Sequence, residues 1–269
     1  MVTMDAALEL TDVTVRVVGR TLVSGADWRV DRGQHWVILG PNGAGKTTML
    51  SVAAAVRHPS SGTATVLGRR LGRVDLRELR REIGLVAASQ RLVDEALLEE
   101  EAATALTVVL TGHTGTSAPL WDRYGDAERE RALGLLADLG CKDLADRPFQ
   151  VCSQGERARV RVARALMADP AILLLDEPFA GLDLPAREDL IEALEDLAAS
   201  RPALTTVLVT HHLEEVPGST THALLMRDTR ILAAGPVHEV LTGAALSDCF
   251  GRRLRLDHAD GRWYARASR

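Results

Sequence analysis

The order of apolar and polar residues along the chain separates three kinds of stretch. Leu8–Val18 and Leu22–Val30 are rich in Val and Leu and flank a turn at Gly19-Arg20, and Gln34–Leu39 is a shorter, more continuous apolar run. The chain is therefore expected to open with antiparallel strands and then a buried one. Gly40-Pro41-Asn42-Gly43 breaks that third strand, after which Lys46–Val56 resumes as a helix with one apolar face. Ser60-Ser61-Gly62 marks a turn, Thr63–Leu67 a short strand, Leu76–Glu82 a helix and Ile83–Ala88 a buried strand.

From Arg91 to Ala168 the period changes. Glu99–Leu110, Ala127–Leu139 and Glu156–Met167 carry apolar residues at three- and four-residue spacing, which predicts a helical insertion. The strand pattern then returns in Ile172–Leu175, Thr206–Thr210 and Ala223–Met226, with an amphipathic helix over Pro185–Ala199. Arg252–Arg269 alternates apolar and basic residues around Asp260-Gly261, the mark of a small terminal hairpin. The expected division is an α/β core from 1–90 and 169–245, a helical part over 91–168, and a C-terminal extension over 246–269.

Composition narrows the partners. With 46% hydrophobic residues in 269, the chain can bury a sizeable core. Thirty-two Lys and Arg against 37 Asp and Glu leave a formal charge of −5, a poor footprint for nucleic acid, so none is expected as partner. Cys141, Cys152 and Cys249 are too few and too scattered for a disulfide framework or a metal knuckle and fit a reducing cytoplasm. The N-terminus lacks a secretory pattern, and apolar runs such as Ala171–Leu175 are far shorter than the roughly 20 residues a spanning helix needs. Any membrane-spanning part is expected from a partner. The basic tail (Arg252, Arg253, Arg255, Arg262, Arg266, Arg269) reads as a solvated hairpin face, with lipid headgroups as the alternative.

Gly40-Pro41-Asn42-Gly43-Ala44-Gly45-Lys46-Thr47 fits GxxxxGK[ST] between a strand and a helix. Glycines there let backbone N–H groups approach phosphate oxygens, and the helix adds its positive end. Lys46 is expected on the β and γ phosphates, Thr47 on Mg²⁺, and Thr48 beside it at the helix start. Taken without its flanks, the same stretch is a Gly-rich turn. Ile172–Leu175 delivers Asp176 and Glu177 at a strand's C-terminal end, where ligands bind in open α/β sheets. Asp176 is expected to hold Mg²⁺ through its water shell, and Glu177 to orient or deprotonate an attacking water. An isolated acidic pair of this kind is more often a helix cap.

Cys152-Ser153-Gln154-Gly155-Glu156, just ahead of Asp176, opens a helix and resembles the LSGGQ signature of the ATP-binding cassette ATPases. Gln90 resembles the family's Q-loop glutamine, counted there among catalytic and Mg²⁺ residues. Gly181-Leu182-Asp183 is similar to the D-loop, and His211 in Val209-Thr210-His211-His212 to the switch histidine. The match runs through nearly the whole chain in order. It implies a RecA-like P-loop core with an antiparallel β subdomain and a helical insertion. It also implies ATP and Mg²⁺ as ligands, and a head-to-tail pair of cassettes in which Ser153, Gln154, Gly155 and Glu156 face the partner's phosphate loop, with Asp183 alongside. Without the resemblance, Ser153–Glu156 is a capping box.

The chain departs from the family where Gln154, Glu156 and Cys152 replace the signature's first glycine, glutamine and leucine. The adenine-stacking aromatic is also missing: Thr14-Val15-Arg16-Val17-Val18 offers no ring, and Val17 is expected in its place, holding adenine less firmly. His211 beside His212 is not expected to bind metal, since neighbours on a strand point to opposite faces. The expected function is a transporter's ATPase subunit, peripheral on the inner face of the cell membrane and bound to an integral membrane permease. Thr107–His113 and Tyr124 faintly resemble the cassettes of metal-chelate importers. A soluble stand-alone cassette is the alternative, and a P-loop kinase explains neither Ser153–Glu156 nor His211.

Overall fold

The computed structural model describes residues 6–87, 103–115 and 124–268. β1 (Ala6–Val17) and β2 (Arg20–Asp31) form an antiparallel hairpin. Its turn falls on Val18-Gly19, one residue ahead of the expected Gly19-Arg20. A two-residue loop matches the strand twist when both central residues have positive φ, and these two sit at 48° and 76°. A β-branched residue in that conformation is disfavoured, so local preference hides the turn's true position.

β3 (His35–Leu39) leads into α1 (Lys46–Ala53), which ends before the expected Val56 because Ala55 turns left-handed, with φ 53°. β4 (Ser61–Val66) and β5 (Arg69–Arg70) complete a four-stranded antiparallel sheet in the order β2-β1-β4-β5. α2 (Leu76–Arg81) is capped by Asp75, and β6 (Ile83–Val86) follows. The next described helix is α3 (Ala105–Thr114); residues 99–102 of the expected Glu99–Leu110 helix lie outside the described residues. Thr104 is extended, pairs with Pro148 and caps Thr107 N–H, which sets the start at Ala105.

α4 (Asp126–Asp138), α5 (Gln154–Leu166), β7 (Ile172–Asp176), α6 (Leu184–Ser200), β8 (Thr205–Val209) and β9 (His222–Arg227) continue the chain. β10 (Arg230–Pro236), α7 (Val237–Val240) and α8 (Gly243–Phe250) had no counterpart in the apolar pattern; β10 is an edge strand of half-exposed, alternating residues. β11 (Leu254–Ala259) and β12 (Arg262–Ala267) form a hairpin around Asp260-Gly261.

A six-stranded sheet in the order β10-β9-β3-β8-β7-β6 organises the molecule, parallel except for β10. Its inner strands are largely apolar because both faces are covered, whereas the edge strand β10 is half-exposed. Ile38, Leu174, Val207, Val209 and Leu224 face the antiparallel sheet, α1 and α2. Val37, Leu39, Leu173, Leu175 and Leu225 face the helices, packing with Val109, Leu136, Phe149, Val160 and Leu190. The helical segment therefore shares its core with the central sheet. This is the layered α/β arrangement expected of a P-loop protein, and it places the C-terminal ends of β3 and β7 side by side across β8. Among the described residues, no helix is long and apolar enough to cross a membrane.

Candidate functional site

The loop between β3 and α1 is shaped by backbone that only glycine tolerates. Gly45 has φ 104°, and a Cβ there would lie 2.4 Å from the Leu22 carbonyl oxygen. α1 then begins with Lys46 and has no side-chain cap and no acidic residue in its first turn, so no cap within the helix serves its leading N–H groups. Lys46 is 5% exposed, and its Nζ donates to the carbonyls of Gly40 at 2.8 Å and Pro41 at 3.1 Å. Asn42 and Gly43 are exposed at the loop tip, Ala44 is buried beneath them, and Thr48 is half-buried behind Thr47.

Thr47 Oγ1 donates to Asp176 Oδ1 at 3.1 Å, joining the start of α1 to the end of β7. Burial pushes the Lys46 ammonium below its ordinary pKa, with Glu177 and Asp176 acting against the shift. Burial pushes the Asp176 carboxyl up; the Thr47 hydrogen bond and Lys46 oppose this, while Glu177 adds to it. Two opposite charges are thus held in poor solvent without a direct ion pair between them. Hard oxygen ligands, a hydroxyl and a carboxylate, meet at this point. That donor set fits Mg²⁺, which takes one or two protein oxygens and fills its remaining sites with phosphate and water. Among the described residues no group of three or more His, Cys, Asp or Glu forms a self-sufficient metal site.

Glu177 follows directly and is held in the left-handed region at φ 50°, a conformation worth noting in a non-glycine residue at a site. Its N–H donates to the Val209 carbonyl at 2.9 Å, tying the end of β7 to the end of β8. His211 Nδ1 lies 3.1 Å from Glu177 Oε1. Around this pair is a pocket of about 210 Å³ lined by Glu177, Gly181, Arg187, His211, His212 and Glu214. The two histidine rings are not on opposite faces as expected: β8 ends at Val209, the chain bends, and the ring centroids sit 4.0 Å apart. Beneath them, buried Thr210 donates to Glu215 and accepts from His212 N–H at 3.0 Å. Nothing in the sequence separates Thr210, Glu215 and Arg187 from ordinary strand-end, helix-cap and surface residues.

Ser153 caps α5 in a closed capping box. Its hydroxyl accepts from Glu156 N–H at 3.2 Å, and Glu156 Oε2 accepts from Ser153 N–H at 2.7 Å. The Ser153 N–H holds the Glu156 carboxyl below its usual range against the cost of burial, with the Ser153 hydroxyl and Arg147 helping. Arg147 Nη1 donates to Glu156 Oε1 at 2.9 Å. Gln154 is exposed and Gly155 buried, with Gly155 packed so closely on α6 that a Cβ would fall 2.5 Å from Ala186 Cβ. The same end of α6 is capped by Asp183, which accepts from Ala186 N–H at 3.0 Å. The Ser153 turn and Asp183 are thereby brought together on one surface.

Gln90 lies outside the described residues. Val17 is half-buried in β1 and pairs with Arg20, whereas Val18, at the hairpin tip, is 97% exposed. Thr107–His113 falls within α3, where Val108, Val109, Leu110 and Thr111 are buried in the core and His113 is exposed. The cysteines are buried thiols, with Cys141 and Cys249 pushed up by burial to about 11.

Residues 23–180 match the family model for ABC transporters. The chain is 39% identical over 244 residues to an uncharacterised ABC transporter ATP-binding protein, YlmA, of Bacillus subtilis strain 168, covering 90% of each. It is 38% identical over 219 residues to the cobalt import ATP-binding protein CbiO of Rhodobacter capsulatus, covering 80% of this chain and 73% of that protein. Its fold matches a bacterial ABC transporter cassette solved as a dimer with a TM-score of 0.70 at 24% identity, covering 86% of this chain and 98% of the other. The chain belongs to the ABC transporter family, as an ATP-hydrolysing subunit that powers transport through a separate membrane-spanning partner.

Proposed function

We propose that hydrolysis is carried by Glu177 and His211 acting on ATP held at Gly40–Thr48, in a site completed by Ser153–Glu156 of a second copy packed head to tail. The single observation that carries this reading is the 3.1 Å contact between His211 Nδ1 and Glu177 Oε1 beside the uncapped start of α1. Phosphate oxygens replace the Gly40 and Pro41 carbonyls as acceptors for Lys46, and the open N–H groups of α1 receive the rest of the phosphate charge. Water attacks the γ-phosphorus in line with the leaving ADP oxygen, and its proton passes to the Glu177 carboxylate. His211 holds Glu177 and the γ-phosphate in register. Thr47 and Asp176 are the residues suited to hold Mg²⁺, with Gln90 as a further candidate. Bound there, Mg²⁺ would offset the negative charge of the phosphate oxygens.

The partner's Ser153–Glu156 and Asp183 supply the opposite wall. This reading is favoured because that turn presents a hydroxyl and backbone donors at a helix start. The membrane-spanning partner docks along a groove of about 410 Å³ near the helical segment, lined among others by Val56, Arg77, Arg81, Ile83 and Gly112. Val56, 54% exposed, gives it an apolar contact point. Docking there holds the subunit on the inner face of the membrane.

Glu177→Gln keeps the shape and removes the base. It should retain ATP binding, lose turnover by roughly a hundredfold or more, and accumulate as an ATP-bound dimer in size-exclusion chromatography. Sustained hydrolysis by this variant removes Glu177 from the role.

A further inference from the structure

The C-terminal hairpin is pinned to the catalytic elements by one side chain. Arg262, at the start of β12, is 17% exposed and bridges two of them. Its Nη1 donates to Glu188 Oε2 at 2.8 Å, and its Nη2 donates to the Glu214 backbone carbonyl. Glu188 lies in α6 just beyond the Asp183 cap, and Glu214 lies in the single 3-10 turn Leu213–Glu215 that follows His211 and His212. The buried Nε of Arg262 shows how far the guanidinium has been drawn out of water.

The surroundings tighten the same junction. Arg187 Nε donates to Glu188 Oε1 at 3.3 Å, its Nη1 lies 4.0 Å from Glu214 Oε1, and His212 Nδ1 lies 3.6 Å from that same oxygen. The Arg262 hydrogen bond is the main reason the Glu188 carboxyl sits below its usual range, with burial opposing it. The strand carrying Arg262 is itself anchored. Trp263 is 6% exposed, with its ring centroid 4.1 Å from that of His258 and 5.3 Å from that of His238. Arg262 is therefore presented from a fixed base, and its planar fork satisfies two acceptors that a lysine ammonium would serve less well.

We propose that Arg262 is a positioning residue for hydrolysis: it clamps the turn after His211 onto the start of α6, so that the C-terminal hairpin holds His211 against Glu177 and sets the rate of turnover. This rests on the reading that Glu177 and His211 carry the hydrolytic step. The clamp touches neither the phosphate loop nor Lys46, so its loss acts on kcat and spares nucleotide binding.

The test compares steady-state ATP hydrolysis by the full-length wild type, Arg262→Ala, Arg262→Lys, His211→Ala and the Arg262→Ala/His211→Ala double variant. Arg262→Ala should lower kcat by roughly three- to tenfold with KM for ATP within about twofold, and Arg262→Lys should recover part of the loss. In the His211→Ala background the Arg262 change should lower the residual kcat no further, because the side chain it positions is gone. A general structural defect would instead multiply with the His211 loss. If Arg262→Ala does not fold, Glu188→Gln weakens the other end of the clamp and carries the same comparison. The proposal is overturned if the arginine variant matches wild type, or if its effect persists undiminished without His211. Glu177→Gln, run alongside, separates the two ideas: an active Glu177→Gln defeats the underlying reading, whereas an inactive one with a normal Arg262→Ala defeats the clamp alone.

Discussion

The start of α1 and the start of α5 are both helix N-termini that present backbone donors, yet they are finished in opposite ways. α1 begins at Gly45 with no side-chain cap and no acid in its first turn, and it has a buried ammonium beside it. α5 begins at Ser153 with a closed capping box, a carboxylate in its first turn, and an arginine on that carboxylate. A helix end left open and positive is an incomplete structure that an anion completes. A capped and neutralised end is stable as it stands. The two halves of the nucleotide site therefore differ in kind. In the proposed dimer the phosphate loop binds nucleotide on its own, while the Ser153 turn meets phosphate only when a second copy brings it there. In that reading Glu156, where the family has a glutamine, brings an arginine-paired carboxylate beside the arriving nucleotide, so this half is expected to govern closure and turnover more than affinity.

That contrast can be broken by exchanging which property each half loses. Lys46→Ala should weaken ATP binding to the isolated subunit by at least about tenfold, the range for hydrogen bonds to charged groups. Ser153→Ala should leave that affinity unchanged and instead cost about 1 kcal/mol of stability through loss of the cap. Equilibrium nucleotide titration and denaturant unfolding of both variants check this pair. A Ser153→Ala subunit that binds ATP less well while monomeric would erase the distinction.

A smaller effect is expected at the far end of the nucleotide. Val17 is half-buried and Val18 is 97% exposed at the β1–β2 tip, and neither offers a ring. Introducing tyrosine at each position in turn should show which side chain meets the base. The productive change should tighten ATP binding, and its preference over GTP, by about 0.5–1.5 kcal/mol. Unchanged ATP and GTP affinities in both variants would show that the base is held elsewhere.

The strand–loop–helix around Gly40–Thr47 is legible in the sequence because its signals are local. A continuous apolar run ends in Asp176-Glu177, and glycines sit where the backbone must approach phosphate and neighbouring carbonyls. What stayed hidden depends on contacts between distant segments or on conformations that oppose local preference. Val18 adopts a positive φ that a β-branched residue disfavours, so local preference points to a turn one residue later. β10 is half-exposed at a sheet edge and lacks an apolar signature. The His211–His212 rings meet because the chain leaves β8 before them. Arg262 read as part of a solvated basic face, since its partners Glu188 and Glu214 are far away in sequence and only the packing of the hairpin joins them.

The claim that each hydrolytic site is shared between two copies is tested most directly by mixing two inactive variants. Lys46→Ala spoils a subunit's own phosphate loop, and Ser153→Arg spoils the face it offers its partner. In a head-to-tail dimer of one of each, both defects fall in the same site and the other site is intact. The mixture should therefore hydrolyse ATP well above the mean of the two variants measured separately. A mixture that shows only that mean would mean that each subunit completes its own site, contradicting the account.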